Sequence, residues 1–123
     1  MTESRYQRLV AETRGRIEEI GAEQLRADYE AARQGRVIDV REPAELGAGR
    51  LPGAIAVPRG VLEAQIEKLV PDVNAELVLY CQSGGRSALA AASLAGMGYT
   101  RVRSLAGGFS GWAGAGLPVE AAS

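Results

Sequence analysis

The sequence predicts an α/β protein with about five strands in a mainly parallel sheet and helices on both faces. Short apolar runs rich in β-branched residues alternate with amphipathic helical segments along the 123 residues, which is typical of parallel strands joined by helices. A second observation is the stretch around Cys81, where an apolar run of strand length meets a polar loop with two glycines and then an alanine-rich helical segment. Ligands of such sheets bind beyond the carboxyl ends of the strands, so this stretch is also the predicted functional site.

The first predicted element is an amphipathic helix over residues 3–14. Tyr6, Leu9, Val10 and Thr13 recur there at near-helical spacing, with charged residues between them. We interpret residues 1–16 as a helical extension that packs on the main domain, with a contact between two copies of the chain as the alternative. Residues 17–119 then form the main domain, and residues 120–123 form a C-terminal tail.

Periodicity and turn residues define the remaining elements. Gly35 is the expected stop of the second helix, and Pro43 is expected to start a helical turn through residue 46. Phe109 and Trp112 are expected to be core or cover residues of a last short helix. The other predicted elements are strands at 17–20, 36–40, 54–58, 76–80 and 100–105, and helices at 22–33, 61–70 and 87–97.

The composition limits the kinds of site and partner that the protein can have. Histidine is absent, which removes the usual base of a Cys–His pair and the commonest metal ligand, so we expect no metal and no cofactor. A net charge of −1 with interspersed signs predicts no nucleic-acid partner, and no apolar run approaches the roughly 20 residues that span a bilayer. The single cysteine cannot form an internal disulfide, and residues 1–5 lack the apolar core of a signal peptide, so the expected compartment is the cytoplasm.

Cys81 is the predicted nucleophile because its surroundings favour a thiolate. Paired glycines let backbone N–H groups of the loop turn inward around an anion, and the helix that follows adds its positive end, worth roughly 0.3 to 2 kcal/mol to a nearby negative charge. We expect the sulfur to be presented at the end of the strand; the alternative is a buried, inert cysteine that fills core space. The predicted site consists of the catalytic Cys81 and a cradle formed by Gln82, Ser83, Gly84, Gly85, Arg86 and Ser87.

Three further charged residues are expected at the same edge of the sheet. Asp39 and Arg41 follow the predicted second strand, where a local cluster of salt bridges and caps is the favoured interpretation and substrate contact the alternative. Arg59 follows the third strand, either as a solvated loop residue or as a contact for an anion.

Four blocks of sequence together resemble the single-domain rhodaneses, a family of sulfurtransferases, over residues 17–119. They read Val-Ile-Asp-Val-Arg-Glu-Pro at 37–43, Gly-Arg-Leu-Pro-Gly-Ala at 49–54, Val-Leu-Tyr-Cys-Gln-Ser-Gly-Gly-Arg-Ser at 78–87, and Leu-Ala-Gly-Gly-Phe through Trp112 to Gly-Leu-Pro-Val at 105–119. The chain departs from the family at Arg50, where members usually carry histidine. We interpret that position as structural, so the substitution bears on the packing of the turn.

The resemblance implies a rhodanese-like fold and a transferase similar to thiosulfate sulfurtransferase. Cys81 would take a sulfane sulfur from a small anionic donor, hold it as a persulfide, and pass it to a thiol, cyanide or a thioredoxin-like acceptor. Thiosulfate or a protein persulfide is the expected donor, because the loop of the mercaptopyruvate branch typically ends in Gly-Val-Thr and this one does not. The protein is expected to be a monomer or a homodimer.

Two other functions remain as alternatives. The same fold occurs as a non-catalytic sulfur carrier or regulatory binding module, although such domains often lack the cysteine. Relatives with the same architecture act as phosphatases or arsenate reductases, but their loops place five residues between cysteine and arginine, whereas four separate Cys81 from Arg86 here. The shorter loop should close a smaller cradle, which suits sulfur better than a phosphoryl group.

Overall fold

The computed structural model describes residues 3–121, and the expectations for residues 1–2 and 122–123 lie outside this range. The described chain contains no helix long and apolar enough to cross a membrane. Short 3-10 turns occur at Pro43–Ala48 and Arg59–Val61. The helices and strands are α1 (Arg5–Arg14), β1 (Glu18–Ile20), α2 (Ala22–Glu30), β2 (Arg36–Asp39), β3 (Ile55–Ala56), α3 (Leu62–Leu69), β4 (Leu77–Tyr80), α4 (Gly85–Gly96), β5 (Val102–Leu105) and α5 (Gly108–Gly114).

The five strands form one parallel sheet in the order β1-β5-β4-β2-β3. The central strand β4 pairs Leu79 with Ile38 of β2 on one side and with Ser104 of β5 on the other. Since all strands run in one direction, the segments that follow β2, β4 and β5 meet at a common edge. The predicted α/β class and parallel sheet are therefore confirmed.

Alternating side chains of β4 divide the core into two layers. Leu77 and Leu79 point into a cluster with α3 and α4, whereas Val78 and Tyr80 point into a cluster with α2 and α5. All four side chains are fully buried, as expected for a central strand covered on both faces. Phe109 and Trp112 belong to the second cluster, so their predicted place in the core is confirmed.

Most elements are shorter than predicted, and α2 and β3 differ most, by three residues each. The helix predicted to reach residue 33 ends at Glu30, because Ala32 takes a left-handed backbone conformation with φ of 55°. Gly35 does not end this helix. It lies beside Glu76, whose carbonyl oxygen would be only 2.6 Å from a Cβ at this position, so glycine is required for close contact with the segment that enters β4.

The N-terminal helix forms as predicted, but its buried face is narrower. Val10 and Thr13 are buried and α1 contacts α4, whereas Tyr6 and Leu9 expose 51% and 48% of their surfaces. A capping box between Ser4 and Gln7 fixes the start of the helix. The spacing thus predicts the helix correctly and overestimates the apolar face that packs on the domain.

The turn around Arg50 is held by the C-terminal segment. Arg50 and Glu120 exchange two backbone hydrogen bonds of 2.9 Å, and the Glu120 carboxylate accepts a bond of 2.8 Å from the Gly53 amide. The Tyr80 hydroxyl accepts a further bond of 3.1 Å from the Leu51 amide. Arginine at this position is therefore compatible with a packed turn, and Glu120, assigned to the tail, contributes to it.

Candidate active site

Cys81 lies directly after β4, the central strand, at the edge where the strand ends meet. The residue exposes only 1% of its surface and packs with Leu79 and Ala91. The expectation of a presented sulfur is therefore wrong: the residue is buried, and the loop that follows folds over it. Reaction at Sγ therefore requires access through the ring formed by residues 82–87, which we call the mouth of the loop.

The loop directs several hydrogen-bond donors at the sulfur. The amide N–H groups of Gly84 and Ser87 donate to Sγ over 3.1 and 3.4 Å, and the Ser87 Oγ lies 3.6 Å away. Gly84 makes this turn possible because its φ of 104° is one that glycine adopts without strain. Two amides of the loop therefore face inward, and only the first of the two glycines has a positive φ.

The second glycine begins the helix. α4 begins at Gly85, two residues earlier than predicted. Gly85 lacks a side chain where one would collide with Tyr6: the Tyr6 hydroxyl would be 2.4 Å from a Cβ at this position. The two glycines thus have different roles, one in the turn and one in the packing of α1.

The hydrogen bonds decide the acidity of Cys81. Burial is the largest single influence and disfavours the thiolate, but the bonds from the Ser87 hydroxyl and from the Ser87, Gly84 and Ser83 amides together outweigh it. The net effect lowers the pKa of the thiol below its ordinary value. A thiolate stabilised by fixed donors in a water-poor site is a prepared nucleophile.

Ser104 of β5 holds the Ser87 hydroxyl in place through a hydrogen bond. It is fully buried, and its Oγ lies 2.8 Å from the Ser87 Oγ. Either hydroxyl can donate in this pair, and when Ser104 donates, the Ser87 proton can turn to the Gly84 carbonyl oxygen, 3.3 Å away, or to a Cys81 thiolate. Ser104 is a positioning residue that sequence reasoning missed, because only the pairing of β5 with β4 places it under the loop.

The backbone of the site is anchored to α5. The Phe109 and Ser110 amides donate to the carbonyl oxygens of Cys81 and Gln82, both over 2.9 Å. Gly108 permits this contact, since a Cβ there would lie 2.6 Å from the Cys81 carbonyl oxygen. The Gln82 amide nitrogen also donates to the Ser110 hydroxyl over 2.9 Å. The start of the cradle is therefore fixed to the last helix.

Asp39 and Arg41 form a buried ion pair beside the site, with neither side chain exposed. Arg41 donates over 2.7 Å to Asp39 and over 2.8 Å to the Gly49 carbonyl, and its guanidinium lies 4.3 Å from the centre of the Phe109 ring. Burial opposes the charge of Arg41, but the bonds with Asp39 outweigh it and raise the pKa of the guanidinium. A fully buried pair acts as scaffold for the edge loops.

Arg86 is paired with Glu45, whose backbone carbonyl also accepts a bond of 3.2 Å from Arg41. Two parallel bonds of 2.6 and 2.7 Å join the Arg86 guanidinium to the Glu45 carboxylate, which belongs to the 3-10 turn at Pro43–Ala48. The bond from Arg86 is the largest influence on Glu45, and the pKa of that carboxyl falls to about 2. Arg86 remains partly exposed, with 33% of its side chain accessible.

Arg59 is engaged with α3. Its guanidinium donates over 2.7 and 2.9 Å to Glu63, whose carboxylate also accepts a bond of 2.6 Å from the Ser93 hydroxyl of α4. Arg59 therefore links the end of β3 to α3. The Arg59–Glu63 contact is a structural ion pair.

Glu45 is the second site residue that sequence reasoning missed. It lies 41 positions from Arg86 along the chain, and a glutamate in a proline-initiated turn carries no local sign of a bidentate partner. The only available signal was that segments after β2 and β4 share an edge, which identifies neighbouring loops without assigning pairs.

Comparisons with known proteins agree with this geometry. The sequence model of the rhodanese-like domain matches residues 21–115. A sulfurtransferase from Allochromatium vinosum is 35% identical over 105 residues, which cover 85% of this chain and 96% of the relative. A solved Rhodopseudomonas palustris protein of unknown function, described as a possible tyrosine phosphatase, superposes with a TM-score of 0.87 at 31% identity, over 98% of both chains.

A thiosulfate sulfurtransferase from Pseudomonas aeruginosa superposes with a TM-score of 0.82 at 28% identity. The match covers 94% of this chain and 22% of that one. The family match and the Allochromatium vinosum sulfurtransferase support a sulfurtransferase activity in general terms. From the family match and the Allochromatium vinosum relative, the chain belongs to the rhodanese-like domain family.

Proposed function

We propose that the protein transfers a sulfane sulfur from a small anionic donor such as thiosulfate to a nucleophilic acceptor through a persulfide on Cys81. The observation that carries the proposal is the sulfur itself, which lies at the end of the central strand with the Gly84 and Ser87 amides directed at it and the Ser87 Oγ 3.6 Å away. These donors stabilise negative charge without histidine or a metal.

In the loading step, the Cys81 thiolate attacks the outer sulfur of the donor. With thiosulfate, a bond forms between Sγ and that sulfur, the sulfur–sulfur bond of the donor breaks, and sulfite leaves with the electron pair. The Cys81 persulfide anion remains. The loop from Gln82 to Ser87 would then surround the added sulfur, whose charge its amide groups stabilise.

Arg86 is the proposed contact for the anionic donor. A guanidinium has five N–H groups, and Glu45 occupies two of them in the parallel pair. The remaining groups are available to a sulfonate oxygen at the partly exposed side of the mouth. Glu45 then holds the guanidinium in place, so Arg86 needs no rearrangement to bind the donor.

The substrate-contact interpretation is weaker for the other charged residues. Asp39 and Arg41 bond to each other with no exposed side-chain surface, and Arg59 is paired with Glu63. We assign these three residues to the support of the loops.

The test is to incubate the purified protein with thiosulfate and record its intact mass before and after reduction by a thiol. We expect the gain of one sulfur atom, reversed by the thiol and absent in Cys81→Ser. Arg86→Ala should load sulfur more slowly at low thiosulfate concentration, because the donor loses its charged contact, and the difference should narrow as thiosulfate approaches saturation.

Hydrolysis of p-nitrophenyl phosphate is the matched counter-assay, since one solved relative is described as a possible tyrosine phosphatase. An unmodified parent protein that hydrolyses the ester in a Cys81-dependent manner would contradict sulfur transfer. A parent protein that neither loads sulfur nor cleaves the ester would favour the binding-module alternative.

A further inference from the structure

A groove lies between the N-terminal helix and the loop that carries Cys81. Its volume is about 530 Å³, within the approximate 300 to 1,000 Å³ of small-molecule sites. Helix α1 contributes one wall and the cradle loop contributes the other, so the groove runs along the loop that holds the reactive sulfur. Its lining residues are Tyr6, Gln7, Val10, Ala11 and Arg14 of α1, Glu3 before the helix, and Ser83 and Gly85 of the loop.

The wall formed by α1 is an ordered part of the molecule. The helix lies before residues 21–115, which match the rhodanese-like domain, yet its own Val10 and Thr13 are buried and the capping box fixes its first turn. The extension is therefore held in one position relative to the loop.

Two side chains of α1 approach the glycines of the loop. The Tyr6 hydroxyl would lie 2.4 Å, and the Arg14 Nη2 3.3 Å, from Cβ atoms placed on Gly85 and Gly84 respectively. Tyr6 nevertheless exposes 51% of its surface, and the Arg14 side chain exposes 42%. Both polar groups therefore lie at the loop and remain accessible from the groove.

The two sides of the loop carry different chemistry. Arg86 and Glu45 form one side of the mouth, where the anionic donor is proposed to bind. The groove beside α1 offers a phenol, an amide, a guanidinium and the Glu3 carboxylate around the apolar Val10. This combination suits a molecule with several polar groups and a carboxylate.

We propose that this groove binds the sulfur acceptor, a low-molecular-weight amino-acid or peptide thiol, with the Tyr6 hydroxyl and the Arg14 guanidinium as its contacts. The inference rests on the proposed persulfide function. Tyr6 forms a hydrogen bond with the body of the thiol, and Arg14 binds its carboxylate while its Nε keeps the contact of 3.4 Å with Glu19.

The transfer step balances without an added oxidant or reductant. The thiolate of the acceptor attacks the outer sulfur of the Cys81 persulfide anion and forms a new sulfur–sulfur bond. The bond between Sγ and the outer sulfur breaks, its electron pair returns to Cys81 as thiolate, and the acceptor leaves as a persulfide anion. Because the groove borders the loop at Ser83 and Gly85, it holds the body of the acceptor while its sulfur enters the mouth.

The test compares Tyr6→Phe with the parent in steady-state sulfur transfer from thiosulfate to glutathione and, separately, to cyanide. Loss of one hydrogen bond should raise the KM for glutathione about five-fold, with kcat and the rate of sulfur loading unchanged. Cyanide is too small to contact the wall, so its KM should stay the same. Leu9→Ala, on an exposed position of the same helix, is the matched control and should behave as the parent with both acceptors.

A second variant tests the charged contact. Arg14→Gln should raise the KM for glutathione and leave the KM for 2-mercaptoethanol unchanged, because 2-mercaptoethanol has no carboxylate. An equal glutathione KM in the parent and Tyr6→Phe, or a parallel rise in the cyanide KM, would overturn the proposal.

Binding of unreactive S-methylglutathione, measured by titration calorimetry, separates failure of the groove from failure of the chemistry. We expect the parent to bind it more tightly than Tyr6→Phe. Equal binding by the two proteins would overturn the acceptor groove, whereas absence of sulfur loading on Cys81 would overturn the proposed transfer itself.

Discussion

Cys81 shows that a buried thiol can have a lowered pKa when its hydrogen-bond partners are fixed. With 1% of its surface exposed, the residue resembles an ordinary core cysteine. The difference lies in the amide groups of Gly84 and Ser87, whose direction is set by the positive φ of Gly84 and by the start of α4. Burial alone would raise the pKa of the thiol, so the loop determines the sign of the shift.

Replacement of Ser87 by alanine should raise the pKa of Cys81. The substitution removes the hydroxyl 3.6 Å from Sγ and leaves the backbone amides in place, so the thiolate loses one donor while its burial is unchanged. The measurement is the rate of iodoacetamide alkylation as a function of pH. The midpoint for the parent should lie below that of a free cysteine measured in the same way, and that of Ser87→Ala should move upward.

Ser83→Ala is the control for this measurement. Ser83 acts on Cys81 through its backbone amide, and its side chain is exposed, so its alkylation profile should follow the parent. Coincident midpoints for Ser87→Ala and the parent would show that the backbone amides alone set the acidity of the thiol.

Some residues of the site can be identified from the local sequence, and others only from the fold. Cys81, the glycine loop and Arg86 are contiguous, so one stretch of sequence identifies them. Glu45 and Ser104 act through pairs that the fold brings together, and no local pattern distinguishes them from other polar residues. The burial of Cys81 was missed for a related reason, since loop closure over the sulfur depends on contacts with α5.

In the same way, the local sequence predicts where helices and strands occur, whereas tertiary contacts determine where some of them begin and end. The apolar period predicts every strand and helix, because amphipathic patterns are local. The ends differ where tertiary contacts intervene: α4 begins at Gly85, close beneath α1. Likewise, α2 ends at Glu30, although alanines and a charged residue follow that would continue an isolated helix.

Ala32, which follows α2, has a strained backbone conformation, so Ala32→Gly should stabilise the protein. A non-glycine residue with φ of 55° carries a penalty of about 1–2 kcal/mol that glycine avoids, partly offset by the greater freedom of glycine in the unfolded chain, about 0.4–1 kcal/mol. We expect a net gain of about 0.5 kcal/mol, measured as an increase in the urea midpoint with an unchanged m-value.

Ala31→Gly is the matched control for this substitution. Ala31 has φ of −91°, so glycine relieves no strain there and should lower the urea midpoint. Equal shifts in the same direction for Ala31→Gly and Ala32→Gly would refute the role of backbone strain.

Ion pairs connect the segments that surround the site across the whole domain. Arg86 and Glu45 join α4 to the turn after β2, Arg59 and Glu63 join the end of β3 to α3, and Arg50 and Glu120 join the central turn to the C-terminal segment. Exposed pairs contribute little to stability. The Arg86–Glu45 pair differs because it has two parallel bonds and is partly buried.

Acid unfolding should reveal the contribution of this pair to the domain. The pKa of Glu45 is about 2 in the folded protein, below the approximate 4.3 of a glutamate in an unfolded chain. Ionised Glu45 therefore stabilises the fold fully above pH about 4.3, and this stabilisation is lost as the pH falls towards about 2. Thermal unfolding followed by circular dichroism should show a Tm that falls over this interval less steeply in Glu45→Gln than in the parent. Glu12→Gln, which changes an exposed glutamate on α1, should retain the slope of the parent, and an unchanged slope in Glu45→Gln would refute the coupling of this carboxylate to the fold.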